Sequence, residues 1–120
     1  MGLDMYAFSV PQGEDVSAES TERSQLAYWR KFNALHGWME DLYREREGGT
    51  NDFNCIPLQL TPADLDRLER DLKKGLTPRQ GFFFGEQTIY PEDVEDTVNF
   101  IEAARAELND GKDVYYDSWW

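Results

Sequence analysis

The sequence predicts a small α+β domain in which three helices pack on a small, mostly antiparallel sheet. The chain has 120 residues, enough for one hydrophobic core, and 40% of them are hydrophobic. Three stretches carry a helical period or a helix-start signal, while three shorter apolar stretches are typical of strands. No internal repeat or linker interrupts this pattern, so residues 1–120 are expected to form a single domain.

The first predicted strand is residues 3–10, LDMYAFSV. Apolar side chains occur on both sides of its alternation, which indicates a strand covered on both faces or central in its sheet. Residues 11–20 follow as a polar loop rich in turn-forming residues.

The longest predicted helix is residues 22–47, capped at Ser20 or Thr21 and stopped by Gly48-Gly49. At about 100° per residue, apolar and aromatic side chains gather on one broad face and most charged ones point away. That face holds Tyr28, Trp29, Phe32, Leu35, His36, Met39, Leu42 and Tyr43.

Residues 55–60 are predicted to form a short extended segment at a sheet edge or a bulge, because Pro57 cannot donate to a sheet ladder. Thr61, Pro62 and Asp64 then give a helix-start signal, with a capping hydroxyl, a proline in the first turn and a first-turn acid.

Pro91 begins the third predicted helix, whose first turns are rich in carboxylates. The aromatic stretch at 114–120 favours a last strand or an ordered tail, so residues 111–120 form an acidic, aromatic C-terminal segment.

The charge balance limits the partners. Acidic side chains number 24 and basic ones 12, for a net charge of -12, which argues against direct binding to nucleic acid or anionic lipid. Cys55 is the single cysteine and cannot form an internal disulfide, which fits a reducing compartment. No apolar run approaches the roughly 18 residues of a membrane span, and no signal peptide is recognisable. The expected location is the cytoplasm.

His36 and Cys55 are the candidate catalytic residues, as general base and nucleophile if the fold brings them together. A packed histidine and a buried structural thiol are the alternative interpretations, and no flanking motif favours catalysis. One His and one Cys fall short of a usual metal-ligand set, and no phosphate-binding or dinucleotide motif is present. We therefore expect no metal and no cofactor.

A binding surface is predicted along the long helix, at the border between its apolar and solvent faces. The GFFFG stretch at 81–85 could form an aromatic wall of a ligand pocket beside it, or fill the core instead. The candidate ligand- or partner-binding residues are Trp29, Arg30, Asn33, His36, Trp38, Glu40 and Phe83.

Three motifs resemble a family of small tailed-bacteriophage proteins, cyanophage members included, most of them hypothetical. They are MGLDMY at 1–6, YWRKFNALHGW at 28–38 and GFFFG at 81–85, and the resemblance runs from Met1 to about Ala103. Some members carry a phosphoglycerate kinase label, which a chain of 120 residues without a phosphate-binding loop does not support.

The resemblance implies a viral origin and action inside a bacterial host. It also implies one shared site drawn from the residues in or beside the motifs. Those residues are Asp4, Tyr6, Tyr28, Trp29, Arg30, Lys31, Asn33, His36, Trp38, Asn54 and Cys55.

Three functional hypotheses follow. The first is a non-enzymatic phage accessory protein that binds a host protein or a small ligand through the surface of helix 22–47. The second is an acidic mimic of DNA that inhibits a host nucleic-acid-binding enzyme, because rows of carboxylates can imitate phosphates. The third is a small hydrolase or transferase that uses His36, with or without Cys55. The sequence favours the first and leaves the oligomeric state open.

Overall fold

The computed structural model describes residues 3–16, 18, 21–47, 53, 55–76 and 89–119. In chain order, the elements among these residues are β1 (Asp4–Pro11), β2 (Ser24–Arg30), α1 (Asn33–Glu47), β3 (Leu58–Leu60), α2 (Pro62–Lys74), α3 (Pro91–Asn109) and β4 (Lys112–Trp119). The strands form one sheet in the order β2-β1-β4-β3, and each neighbouring pair is antiparallel. The predicted α+β class is confirmed.

β1 occupies an interior position between β2 and β4, as its two-sided apolar pattern predicted. Met5 and Ala7 are buried on one face of the strand, and Phe8 and Val10 are buried on the other. The short β3 lies at the edge of the sheet opposite β2, as predicted, but it covers only Leu58–Leu60 and begins directly after Pro57 rather than at Cys55.

The predicted helix over residues 22–47 is wrong in its first third, because residues 24–30 form the edge strand β2. This strand pairs with β1 from Asp4 opposite Arg30 to Ser9 opposite Ser24. The spacing of its apolar residues fits a helix, but aromatic residues also favour strands. Backbone hydrogen bonds to β1 stabilise the strand conformation instead of the helix.

Lys31 separates β2 from α1. Its φ of 58° lies in the left-handed region, and its amide donates to the Leu3 carbonyl at 2.9 Å. α1 therefore begins at Asn33 instead of being capped at Thr21, whose hydroxyl donates to the Asp15 carbonyl. Ser20 and Gly48-Gly49 lie outside the described residues.

Within α1 the predicted apolar face is correct, since Leu35, Met39, Leu42 and Tyr43 are buried and His36 is half-buried. Phe32 is buried as well, just before the helix begins.

α2 begins as predicted with a capping box. The Thr61 hydroxyl accepts from the Asp64 amide at 3.3 Å, and the Asp64 carboxylate accepts from the Thr61 amide at 2.8 Å. Each bond satisfies an amide that the first helical turn would otherwise leave without a partner. α3 begins at Pro91, also as predicted.

The hydrophobic core lies between one face of the sheet and the three helices. The sheet contributes Met5, Ala7, Trp29, Leu58, Leu60, Val114 and Tyr116, and Leu3 joins them just before β1. The helices contribute residues that include Leu35, Met39, Leu65, Leu68, Phe100 and Ile101. The side chains that alternate with the core residues along β1, β2 and β4 point to the other face of the sheet, away from these helices. None of the described helices is long and apolar enough to cross a bilayer.

Candidate functional site

Two of the predicted binding residues belong to the core. Trp29 is buried, and its indole N–H donates to the Thr97 hydroxyl at 3.1 Å while its ring meets Phe100 edge-on at 5.3 Å. Asn33, the first residue of α1, is buried as well. Neither side chain is exposed to a partner in this fold.

His36 lies in the first turn of α1 with its ring half-buried. Its Nδ1 atom is 2.8 Å from the Tyr116 hydroxyl, and the ring stacks on Phe53 at 5.4 Å between ring centres. Burial raises the pKa of Tyr116 well above its ordinary value, so the phenol stays neutral and can act as donor or acceptor to the histidine. Sequence reasoning missed Tyr116, because a partner 80 positions away leaves no local pattern.

Cys55 is exposed, so the expectation of a buried thiol is wrong. The residue has a φ of 59°, in the left-handed region, and its amide donates to the Ser118 carbonyl at 2.7 Å. The fold thus brings the two candidate catalytic residues to nearby positions on β4, His36 at Tyr116 and Cys55 at Ser118.

The remaining predicted residues that the structure describes lie on different elements and differ in exposure. Trp38 is half-buried and donates from its indole to the Asp71 carboxylate at 2.8 Å, which joins α1 to α2. Glu40 lies 3.5 Å from Arg44 along α1, whereas Arg30 is exposed at the end of β2. Phe83 and Asn54 lie outside the described residues.

The face of the sheet opposite the three helices is a second candidate site, which we call the open face. Along β1, β2 and β4 its side chains form cross-strand rows, with Asp4 between Arg30 and Trp119, and Tyr6 between Tyr28 and Asp117. The open face comprises the aromatic residues Tyr6, Phe8, Tyr28, Tyr115 and Trp119, the acidic residues Asp4, Asp113 and Asp117, the polar or basic residues Arg23, Gln25 and Arg30, and the apolar Val10. Phe8 and Val10 are buried within it.

Aromatic rings and carboxylates are in direct contact at the β2 side of the open face. The Tyr28 hydroxyl donates to Asp4 Oδ1 at 2.7 Å, and the Tyr6 and Tyr28 rings lie 5.3 Å apart with a tilt of 48°. The hydrogen bond to Asp4 raises the pKa of Tyr28, so its hydroxyl remains a donor at neutral pH. Tyr28 is 43% exposed and Trp119 is 66% exposed, so both offer ring surface to a partner.

A cation already lies on this face. The guanidinium carbon of Arg23 is 4.4 Å from the centre of the Phe8 ring, which stacks in turn on Tyr115 at 5.8 Å. Beside Arg23 is a pocket of about 220 Å³ lined by Tyr6, Phe8, Arg23, Gln25 and Asp117.

Asp117 provides the carboxylate of this pocket. Burial raises the pKa of its carboxyl group, although the Ser118 amide at 2.8 Å and the nearby charge of Arg23 both favour the charged form. An aspartate held in this way is stabilised by an added cation, because a second positive group would offset the cost of its partial burial.

A larger groove, of about 610 Å³, runs along the edge of β3 that pairs with none of the described strands. Arg46 lines it, pairs with Asp64 and donates to the Gln59 carbonyl. This arginine covers the outward carbonyl of a three-residue edge strand, and Pro57 has no amide to offer there. The arrangement is typical of a protected sheet edge rather than of a peptide-binding one.

Within the described ranges, no group of three or more His, Cys, Asp or Glu residues could hold a metal ion. Comparison with protein-family models finds no match to this chain, and no match is found among curated proteins or solved structures.

Proposed function

We propose that this chain is a non-enzymatic phage accessory protein that binds a basic segment of a host protein through the open face. The observation that carries the proposal is the alignment of five aromatic and three aspartate side chains on the sheet face that lies away from the described helices. Aromatic rings and carboxylates together recognise arginine and lysine side chains, since the rings attract cations and the carboxylates pair with them.

The charge of the whole molecule supports a basic partner. A net charge of -12 attracts positively charged proteins over distances of about a Debye length and raises the rate at which they meet this chain. The same charge opposes stacking of nucleic acid on the aromatic rings, although exposed rings on a sheet would otherwise suit single strands.

The proposed function is still that of a non-enzymatic binding protein, but the proposed binding site is the open face instead of the surface of helix 22–47. The surface expected on helix 22–47 depended on Trp29 and Asn33 being accessible, and both are buried. The open face instead presents Tyr28 and Trp119 at 43% and 66% exposure.

The phage origin rests on the motif resemblance, and two of the motifs contribute to the open face. MGLDMY supplies Asp4 and Tyr6 of β1, and YWRKFNALHGW supplies Tyr28 and Arg30 of β2. The third motif, GFFFG, lies outside the described residues.

The test is capture from lysate of a bacterial host with three immobilised proteins: the wild type, Asp113→Asn/Asp117→Asn, and Glu95→Gln/Glu102→Gln. Both double variants remove two negative charges, the first from the open face and the second from exposed positions of α3. We expect a basic host protein that the first double variant loses and the second retains.

Two outcomes contradict the proposal. If the α3 variant loses the partner and the open-face variant keeps it, the acidic surface of α3 acts as a mimic of DNA. If both variants capture the same proteins as the wild type, neither set of carboxylates recognises a partner.

A further inference from the structure

We infer that Arg23 holds, in the free protein, the place that an arginine of the partner takes in the complex. This inference rests on the proposed function and deepens it in two ways. It names arginine rather than lysine as the side chain that the partner presents, and it makes Arg23 an internal competitor for the same site.

The contacts of Arg23 show what the site recognises. Its guanidinium lies over the Phe8 ring at 4.4 Å, its Nη2 donates to the Val16 carbonyl at 2.7 Å, and it borders the same pocket as Asp117. A flat guanidinium can stack on a ring and donate from its edge at the same time, whereas a lysine ammonium is a compact point charge. The site therefore favours arginine.

Arg23 is also placed so that it can be exchanged. It is an exposed residue just before β2, in the connection from β1 that includes Val16. Cation–π contacts at exposed positions are weak, and the Val16 carbonyl could accept from water or from a partner's guanidinium instead.

Arg23 itself lines the pocket of about 220 Å³ together with Tyr6 and Asp117, so an arginine that replaced it over Phe8 would lie in the same pocket as Asp117. An incoming arginine would be attracted by Asp117 and repelled by the charge of Arg23. Removal of Arg23 should therefore strengthen binding, whereas removal of Asp117 should weaken it. If Arg23 were instead a residue that contacts the partner directly, removal of Arg23 would weaken binding, as removal of Asp117 does.

The experiment measures fluorescence anisotropy with an arginine–glycine repeat peptide and its lysine–glycine counterpart at low salt. The proteins are the wild type, Arg23→Ala, Arg23→Gln, Lys74→Ala and Asp113→Asn/Asp117→Asn. Lys74→Ala removes the same charge from an exposed position at the end of α2, so it reports the effect of net charge alone. Arg23→Gln removes the charge but keeps a long side chain over Phe8. It therefore shows whether an effect of Arg23→Ala comes from the lost charge or from a loop that has lost its packing.

We expect both Arg23 variants to bind the arginine peptide roughly two- to fivefold more tightly than the wild type does, the range of one exposed cation contact. Lys74→Ala should stay within about twofold of the wild type, as expected for a distant screened charge. The lysine peptide should gain less than the arginine peptide from the Arg23 variants.

If Asp113→Asn/Asp117→Asn weakens peptide binding, the proposed function stands, and any of three results would then overturn the inference alone. Arg23→Ala and Lys74→Ala could change the affinity by the same factor, or both Arg23 variants could bind the arginine peptide more weakly than the wild type. The third such result is that the Arg23 variants strengthen binding of the lysine peptide as much as that of the arginine peptide. If no protein binds either peptide, or if the aspartate variant binds as the wild type does, the proposed function fails with the inference.

Discussion

The Nδ1 atom of His36 lies 2.8 Å from the hydroxyl oxygen of Tyr116, and this bond joins the first turn of α1 to the interior strand β4. Tyr116 is buried, and burial keeps its phenol neutral by raising its pKa. The Nδ1 edge of the His36 imidazole is therefore hydrogen-bonded to a residue of the core. His36, the residue that most suggests catalysis in the sequence, makes a structural contact in the fold.

We predict that Tyr116→Phe lowers the free energy of unfolding by about 1 kcal/mol, the net value of one buried hydrogen bond. Urea unfolding measures the change. The control is Tyr115→Phe, since Tyr115 lies on the open face and its ring contact with Phe8 does not need the hydroxyl. The control should change stability by less than about 0.5 kcal/mol. Equal losses in the two variants would show that the His36–Tyr116 bond adds nothing.

A second prediction concerns Asp64, whose carboxylate caps α2 and pairs with Arg46. Burial alone would raise the pKa of this group, but the hydrogen bonds from Arg46 and Thr61 outweigh burial and lower it. A lowered pKa in the folded state adds stability that is present above the unfolded value near 3.8 and is lost as the pH falls through the folded value.

Asp64→Ala should therefore cost about 1 kcal/mol at pH 7, as the loss of a helix cap does. The difference from wild type should shrink as the pH falls below 4. Thermal unfolding at several pH values measures this, with the exposed Glu95→Ala as control. A difference that stays constant down to pH 2 would mean that the carboxylate's charge plays no part.

The local signals at the start of α2 were sufficient to place it from the sequence, because Thr61, Pro62 and Asp64 are neighbours in the chain. The same is true of the interior strand β1, whose apolar residues occupy both faces. β2 could not be placed in this way, since its conformation depends on pairing with β1 from Asp4 to Ser9. A helical wheel therefore grouped Trp29 with His36, although strand and helix place them in different surroundings.

The open face escaped prediction for the same reason. Asp4, Tyr28 and Trp119 are far apart in the sequence, and only the register of three antiparallel strands makes them neighbours. The sequence did show an acidic and aromatic C-terminal segment, and this segment became β4. Its alternation divides its residues between the core, with Tyr116, and the open face, with Asp117.

A third prediction follows from Asp117, whose pKa is raised by burial. A raised pKa in the folded state means that this carboxylate adds most to stability below the unfolded value near 3.8, and that the contribution is lost as the pH rises through the folded value. At pH 7 the charged Asp117 therefore stabilises the fold less than its protonated form would.

Asp117→Asn should accordingly unfold at the same temperature as the wild type or higher at pH 7, while it binds the arginine–glycine peptide more weakly. Wild-type binding should weaken as the pH falls through the raised pKa of Asp117, and binding by Asp117→Asn should lack this step. Differential scanning calorimetry and anisotropy measure the two effects. A variant that loses stability and binding together would indicate a structural role.

The most direct test of the open face as the binding site uses the tryptophan side chains as reporters. Trp119 is exposed on the open face, Trp38 joins α1 to α2 through Asp71, and Trp29 is buried against Thr97. The indole N–H signals of a ¹⁵N-labelled sample, assigned with Trp→Phe variants, are followed by NMR during titration with the arginine–glycine peptide. The account predicts that the Trp119 signal shifts with the peptide while those of Trp38 and Trp29 stay in place. A shift of Trp38 with Trp119 unmoved would contradict it and place binding on the surface of α1.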